Sequence, residues 1–433
     1  MRIRSTLSTI VLLAAVASGD WGHWRGAQWT GVSQTKASLP TRLDATTQAY
    51  GVALPGKSSA TPVVADGKIF IVSNQSAGKP ILAMGFDLKT GKELWRHELA
   101  TVKSPNRNTP ASASPTVVGD RVVWTLSSGL FVATDFAGKE LWRSDLTKQI
   151  GPFCVKFGYS TSPLYCGGEL YIALIRQDPG RGRASMRVSY LLRMDAKTGT
   201  IVARCARPCK ARKESGDSYS SPLPIFDSAG KIESILITGG DTITAHDPKT
   251  LKEQWRVDYD PKHASTTWRL VPSAVVAGRI VVTPRPRGDG MIALELGKTP
   301  AETPKQKWLR TETFPDVTTL AAKDGVLYVA NDKKGTFMTL DVKTGKTLST
   351  TKLGGVRPWA SPTIAGGKVY LLGPKGEWFV FSAAAKPKLL AKGKFNGSSE
   401  VYSTIVVTDD GSVLVRTNRK LLCFRAPAKD KTK

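Results

Sequence analysis

Thr61-Pro62-Val63-Val64-Ala65-Asp66-Gly67-Lys68-Ile69-Phe70-Ile71-Val72 opens a unit that closes with Asp87-Leu88-Lys89-Thr90-Gly91-Lys92-Glu93-Leu94-Trp95-Arg96. Short apolar runs broken by Gly turns read as four antiparallel strands. Each part has a physical role. Pro is harmless at the first residue of a strand, where no ladder donor is yet needed. In Asp-x-x-Thr-Gly-Lys the Asp bonds nearby backbone N–H groups and Gly takes the left-handed position. The Trp is large and flat, suited to filling a wedge between neighbouring sheets.

The unit returns. Its second copy is Ser114-Pro115-Thr116-Val117, then Asp135 to Lys139 and Leu141-Trp142-Arg143. Later copies start near Ser162-Pro163, Ser221-Pro222, Val271-Pro272, Thr318, Ser361-Pro362 and Ser403-Thr404. Starts roughly 40 to 60 residues apart are the scale of a four-stranded propeller blade. The copies decay unevenly: Leu251 replaces the turn Gly, Ala203 and Ser349 stand where Trp is expected, and the seventh copy has lost its turn. The expected fold is therefore all-β, a propeller of about eight four-stranded antiparallel blades. The eighth unit lacks an outer strand, and Ala49-Tyr50-Gly51-Val52-Ala53-Leu54 resembles the missing one. Pairing the two ends would remove an open edge.

The predicted organisation is a signal peptide over 1–19, a leader strap over 20–48, the propeller over 49–427 and a basic tail over 428–433, with the chain reading as unstructured from Arg425 onward. Arg2 and Arg4 precede a short apolar run, Leu7 to Val16, and small residues follow it, the pattern of an export signal. The five cysteines then sit in an oxidising compartment. Cys205 with Cys209, and Cys154 with Cys166, are the expected disulfides, and Cys423 reads as a buried thiol. Zinc is not expected, since no second close Cys pair exists and the four His are scattered. The formal net charge of +27 favours anionic partners without setting the fold.

The repeated Ser-Pro … Asp-x-x-Thr-Gly-Lys-x-x-Trp unit resembles that of the pyrroloquinoline-quinone (PQQ) propeller superfamily, which includes quinoprotein alcohol dehydrogenases and BamB-like assembly factors. The opening Trp21-Gly22-His23-Trp24-Arg25-Gly26 is similar to the Trp-Arg-Gly leader of exported planctomycete members. The resemblance implies the fold, a place in the periplasm or cell envelope, and two functions to weigh. One is PQQ-dependent dehydrogenation, which would need calcium on acidic and amide ligands, an Asp base and, in many members, a disulfide between adjacent Cys. No two cysteines are adjacent here, and the best single acid near the inner strands is Asp316. A lone carboxylate suits a strand-end hydrogen bonder better than calcium, which wants six to eight oxygens. No phosphate-cradling loop or nucleophile elbow appears either. The favoured expectation is a non-catalytic envelope scaffold or binding module with no metal; a PQQ-dependent enzyme with a diverged site is the alternative. Nucleic acid is the least favoured partner, because of the export signal.

Strand order places Tyr159, Tyr219, Trp268, Arg269, Arg357, Trp359 and Tyr402 just before inner strands, ringing one mouth of the channel. Lys103, Arg107, Arg285 and Arg287 join that face. So does a run from Arg176 to Lys213 with eleven basic residues, among them Arg181, Arg183, Arg187 and Arg212. Arginine among aromatics suits planar anions, since guanidinium forks onto carboxylate or phosphate while rings stack. Arg107, Arg181, Arg183, Arg187 and Arg212 are the candidate anion-binding face. The foot face is lysine-rich, but its lysines stand beside acids, as in Lys92-Glu93 and Lys139-Glu140.

Overall fold

The structure is a computed structural model that describes residues 21–105, 107–176, 188–209, 211, 213–258, 268–397 and 400–427. Among these, the strands form eight four-stranded antiparallel sheets, arranged as the blades of a propeller. Blade 1 is typical: Val63–Ala65, Lys68–Asn74, Ile81–Asp87 and Glu93–Ala100 follow in order from channel to rim. Burial falls along the same path, from wholly buried inner strands to an alternating outer one. Among the described residues no helix is long and apolar enough to cross a membrane.

Blade 8 closes the circle with both ends of the chain. Gln48–Ala53 pairs antiparallel with Lys420–Phe424, next to Val413–Arg416 and Val406–Val407. The missing outer strand is thus supplied by the N-terminal side. Arg425, expected in a loose tail, instead donates to the Leu88 carbonyl at 2.9 Å and to Ser412 Oγ, tying blade 8 to blade 1. Residues 428–433 lie outside the described residues, as does the expected signal segment.

The wedge role of the fourth-strand aromatic holds at atomic detail. Trp95, Trp142 and Trp308 each donate their indole N–H to the backbone carbonyl just after the turn Asp of the next blade, at Phe136, Ala196 and Val342. Tyr50 takes the same place at the seam and donates to Leu88. The turn Gly is the floor under each ring. A Cβ on Gly199, whose φ is +71°, would lie 2.4 Å from Trp142. Across the sheet, these Trp residues face Gly85, Ala133 and Ala293, residues small enough to let the indole lie flat.

Where the repeat decays, it decays in concert. Blade 3 has Ala203 in the Trp place, and the residue facing it is Arg193 rather than a small one. The next blade carries Leu251 at the turn, fully buried despite a φ of +60°, in the cluster that Ala203 packs against. A leucine fills from one blade the space that an indole fills elsewhere from the other.

None of the expected disulfides forms; all five cysteines are free thiols. Cys154 lies in a loop on the mouth side, whereas Cys166 ends an inner strand at its foot. Cys205 is bound into an outer strand opposite Leu191, while Cys209 packs against Gly240 of the next blade.

A double-mutant cycle tests the wedge. Gly199→Leu should destabilise strongly alone, through the Trp142 clash and the left-handed backbone, and much less in a Trp142→Ala background. Urea denaturation should return a favourable coupling of about 1 kcal/mol or more, the range of residues in direct contact; additive losses would contradict the wedge.

Candidate functional site

Inner strands begin with a hydroxyl. The Thr61 N–H donates to Ser114 Oγ, Ser114 to Ser162, Ser162 to Ser221, Ser221 to Ser273, Ser273 to Thr319, and Thr319 to Ser361, all at 2.9–3.1 Å. Thr404 N–H donates to Thr61 Oγ1 at 3.0 Å and closes the circle. Between blades 7 and 8 the link shifts by two residues, Thr363 Oγ1 donating to the Ile405 carbonyl. The blade-5 and blade-6 members are Ser273 and Thr319, so those repeats start slightly later than Pro272 and Thr318 suggest. These eight hydroxyls surround a central cavity of about 330 Å³.

The leader forms its floor. Trp21 pairs with Val64 of the first inner strand, and Gly22 accepts from the Val117 N–H. His23 Nε2 donates to the Pro163 carbonyl at 3.1 Å, and Arg25 donates to the carbonyls of Leu320 and Pro362 at 2.8 and 2.9 Å. These carbonyls belong to the residues that directly follow Ser162, Thr319 and Ser361 of the ring. Burial alone drives the Arg25 guanidinium down to about 9, and burial foremost drives His23 down to about 3. Trp24 lines the cavity, with the Arg25 guanidinium 5.5 Å from its ring centre.

The structure divides the sequence-nominated residues. Tyr219, Trp359, Tyr402 and Arg107 all line the cavity, Trp359 lying against Tyr402 with ring centres 5.3 Å apart. Tyr219 accepts from the Phe157 N–H. Tyr159 is elsewhere: it is buried in the core between blades 2 and 3, edge-on to Phe153 at 4.9 Å. Arg269 is at the mouth but occupied, forking onto both oxygens of Asp316 with Glu214 at 3.6 Å. Trp268 is exposed on the rim, where Arg287 stacks on it at 4.2 Å. Arg357 is also exposed. Arg181, Arg183, Arg187 and Arg212 lie outside the described residues.

Two members of the basic run are structural rather than solvated. Arg176 is buried and donates to the carbonyls of Ile150 and Val188. Arg207, also buried, donates to Gly239, Thr242 and Thr244.

Sequence reasoning missed the ring hydroxyls, the Trp24 floor, Arg25 and Asp332. The hydroxyls were visible as the Ser of Ser-Pro, but the Pro drew the explanation. Asp332 is buried and accepts the N–H groups of Asp316 and Val317 at 2.9 and 3.3 Å, and burial lifts its carboxyl to about 6. Among the described residues no three His, Cys, Asp or Glu side chains gather where a metal ion could sit.

Eight blades, Asp-x-x-Thr-Gly turns and a hydroxyl-lined axis define a PQQ-like β-propeller. More narrowly, the chain belongs to the family of the outer membrane protein assembly factor BamB, which it matches over residues 41–152 and 239–429. Its fold is similar to that of BamB from Moraxella catarrhalis, at 12% identity over 88% of this chain and 99% of that one, with a TM-score of 0.61. A europium-containing methanol dehydrogenase is similar at 14% identity, covering 92% and 90%, with a TM-score of 0.65. The quinohemoprotein alcohol dehydrogenase of Comamonas testosteroni matches at 14%, covering 97% and 83%, with a TM-score of 0.66. At such identities the likeness is one of fold. No curated protein matches the chain in sequence.

Two buried histidines, His23 in the floor and His246 in blade 4, make the fold acid-sensitive. His23 and His246 ionise in the unfolded chain near 6.5 but in the folded one only near 3 and 4, mainly because burial disfavours the cation. Unfolding therefore takes up protons below pH 6.5, and stability falls as pH drops through that value. His23→Gln should lower the melting temperature at pH 7.5, and the deficit should shrink by pH 5; a deficit independent of pH would contradict a neutral buried His23.

Proposed function

We propose that this chain is an exported, non-catalytic scaffold of the bacterial envelope that holds an anionic partner on the rim of its mouth face. The observation that carries the reading is the exposed Arg287 stacked at 4.2 Å on Trp268, itself 42% exposed. Among the described residues no carboxylate pairs with Arg287, whose backbone is held at a φ of +62°. A cation fixed against an aromatic ring keeps its donors and loses less entropy on binding than a loose side chain. Arg357 adds a second exposed guanidinium to that face. The family's description as an outer membrane assembly factor and the apolar N-terminal run support the envelope location.

The acids of the mouth argue against a calcium-held quinone. Asp316 is forked by Arg269, and Glu214 is shared between Arg269 and Lys156. Calcium wants six to eight oxygens; Asp316 and Glu214 are committed to cations, and Asp217 and Asp332 accept backbone N–H groups. The residues present therefore do not fit a calcium-held quinone, and the dehydrogenases are relatives in fold alone.

Retention on a sulfated polysaccharide matrix tests the rim. The double reversal Arg287→Glu with Arg357→Glu should elute at clearly lower salt than an equal reversal on the foot face, Lys249→Glu with Lys343→Glu. Equal shifts would mean that net charge alone drives retention and would refute the site. In a parallel arm, protein incubated with PQQ and calcium should show neither quinone absorbance nor dye reduction with alcohols. Either signal would overturn the non-catalytic reading.

A further inference from the structure

The eight ring hydroxyls are each no more than 6% exposed, and all line the cavity. Seven of them accept a backbone N–H from the preceding blade, which uses a lone pair and leaves the hydroxyl proton uncommitted. Among the described residues none of the eight donates to a protein acceptor. These protons face the cavity and are available to an occupant, and the arrangement repeats around the whole axis.

The charged lining is basic, with Asp217 and Glu214 standing behind Tyr219 and Glu400 behind Tyr402. No described lining residue is acidic, and Arg107 is the lining cation, at the mouth. At the floor, Arg25 is 1% exposed and bonded to carbonyl oxygens, and no carboxylate pairs with it among the described residues. Its Nε finds no partner, and neither does the indole N–H of Trp24, the residue between it and the cavity. A buried cation without a counter-ion is disfavoured unless something negative approaches it. Donors on the walls and Arg107 at the mouth suit an occupant rich in acceptor oxygens, with Arg25 adding positive field from behind Trp24.

We propose that the central cavity binds a compact oxyanion, a phosphate or carboxylate group carried by a ligand of monosaccharide size. Its oxygens accept from the ring hydroxyls, Arg107 pairs with it from above, and Trp359 and Tyr402 stack on the remainder of the ligand at the mouth. The cavity of about 330 Å³ sets the size limit. This site is separate from the Arg287 rim, so either can fail without the other.

Isothermal titration calorimetry with inorganic phosphate, glucuronate and glucose tests it on the full mature chain. Phosphate and glucuronate should bind one per chain, and glucose should not. Stronger binding of phosphate would assign a phosphate ligand, whereas stronger binding of glucuronate would assign a sugar acid held by stacking as well as charge. Arg107→Gln, an exposed loop change, should weaken both by about tenfold, the size of one charge-assisted contact. Trp359→Ala should weaken glucuronate but spare phosphate. Arg287→Glu should leave all three titrations unchanged. Absence of saturable heat at millimolar anion, or binding lost with Arg287→Glu but kept with Arg107→Gln, would overturn the proposal. Selenate soaked into crystals gives a second reading, with anomalous density on the propeller axis supporting it and density only on the rim refuting it.

Discussion

A propeller blade starts with a backbone N–H that faces the channel, where its own sheet cannot satisfy it. Here the hydroxyl of the neighbouring blade does so, seven times around the axis, the last link running from Thr404 back to Thr61. Each bond joins residues 42 to 59 positions apart within the ring, or 343 across the seam, so each is a tertiary contact between blades. A buried N–H left without a partner costs about 1–3 kcal/mol, so the ring is strongly constrained to close. The indole wedges do the complementary work further out, where blades diverge and apolar volume is needed. Inside, polar bonds set the circumference; outside, Trp over Gly sets the spacing.

That division explains what could be read from the chain. The wedge was legible because it needs a rare residue, Trp, at a fixed distance from a Gly turn, and rarity makes repetition visible. Its failures were legible only one at a time. Ala203 and Leu251 look like two independent losses, yet they lie in one cluster between blades 3 and 4. Only the packing shows that the small side chain on one blade and the large one on the next exchange roles, and that Arg193 replaces the small residue that a Trp requires opposite it.

The site was less legible. Placing aromatics just before the inner strands brought Tyr219, Trp359 and Tyr402 to one cavity, because topology alone fixes that position. The same rule misplaced Tyr159, whose ring turns into the core against Phe153. Position along a strand does not determine on which side of the backbone a loop residue falls. Arg269 and Arg207 show a second gap: their partners, Asp316 and the Gly239 and Thr242 carbonyls, are distant in sequence, so their charge looked available when it was spoken for. The cysteine pairings failed for a related reason, since twelve or four residues of separation say nothing about opposite faces or separate blades. Serine and threonine in the ring were hidden by their ordinariness, being common residues whose alignment on the axis is invisible until the circle closes.

The claim on which the rest depends is that hydroxyl bonds weld the blades, seam included, into one cooperative ring. Hydrogen exchange followed by mass spectrometry on the intact protein tests it most directly. The account predicts that peptides carrying the Thr61, Ser114 and Thr404 amides exchange together, at the slow rate of global opening. Fast exchange at Thr404 and Thr61, with blades 2 to 6 still protected, would mean that the seam opens on its own and would contradict a closed ring.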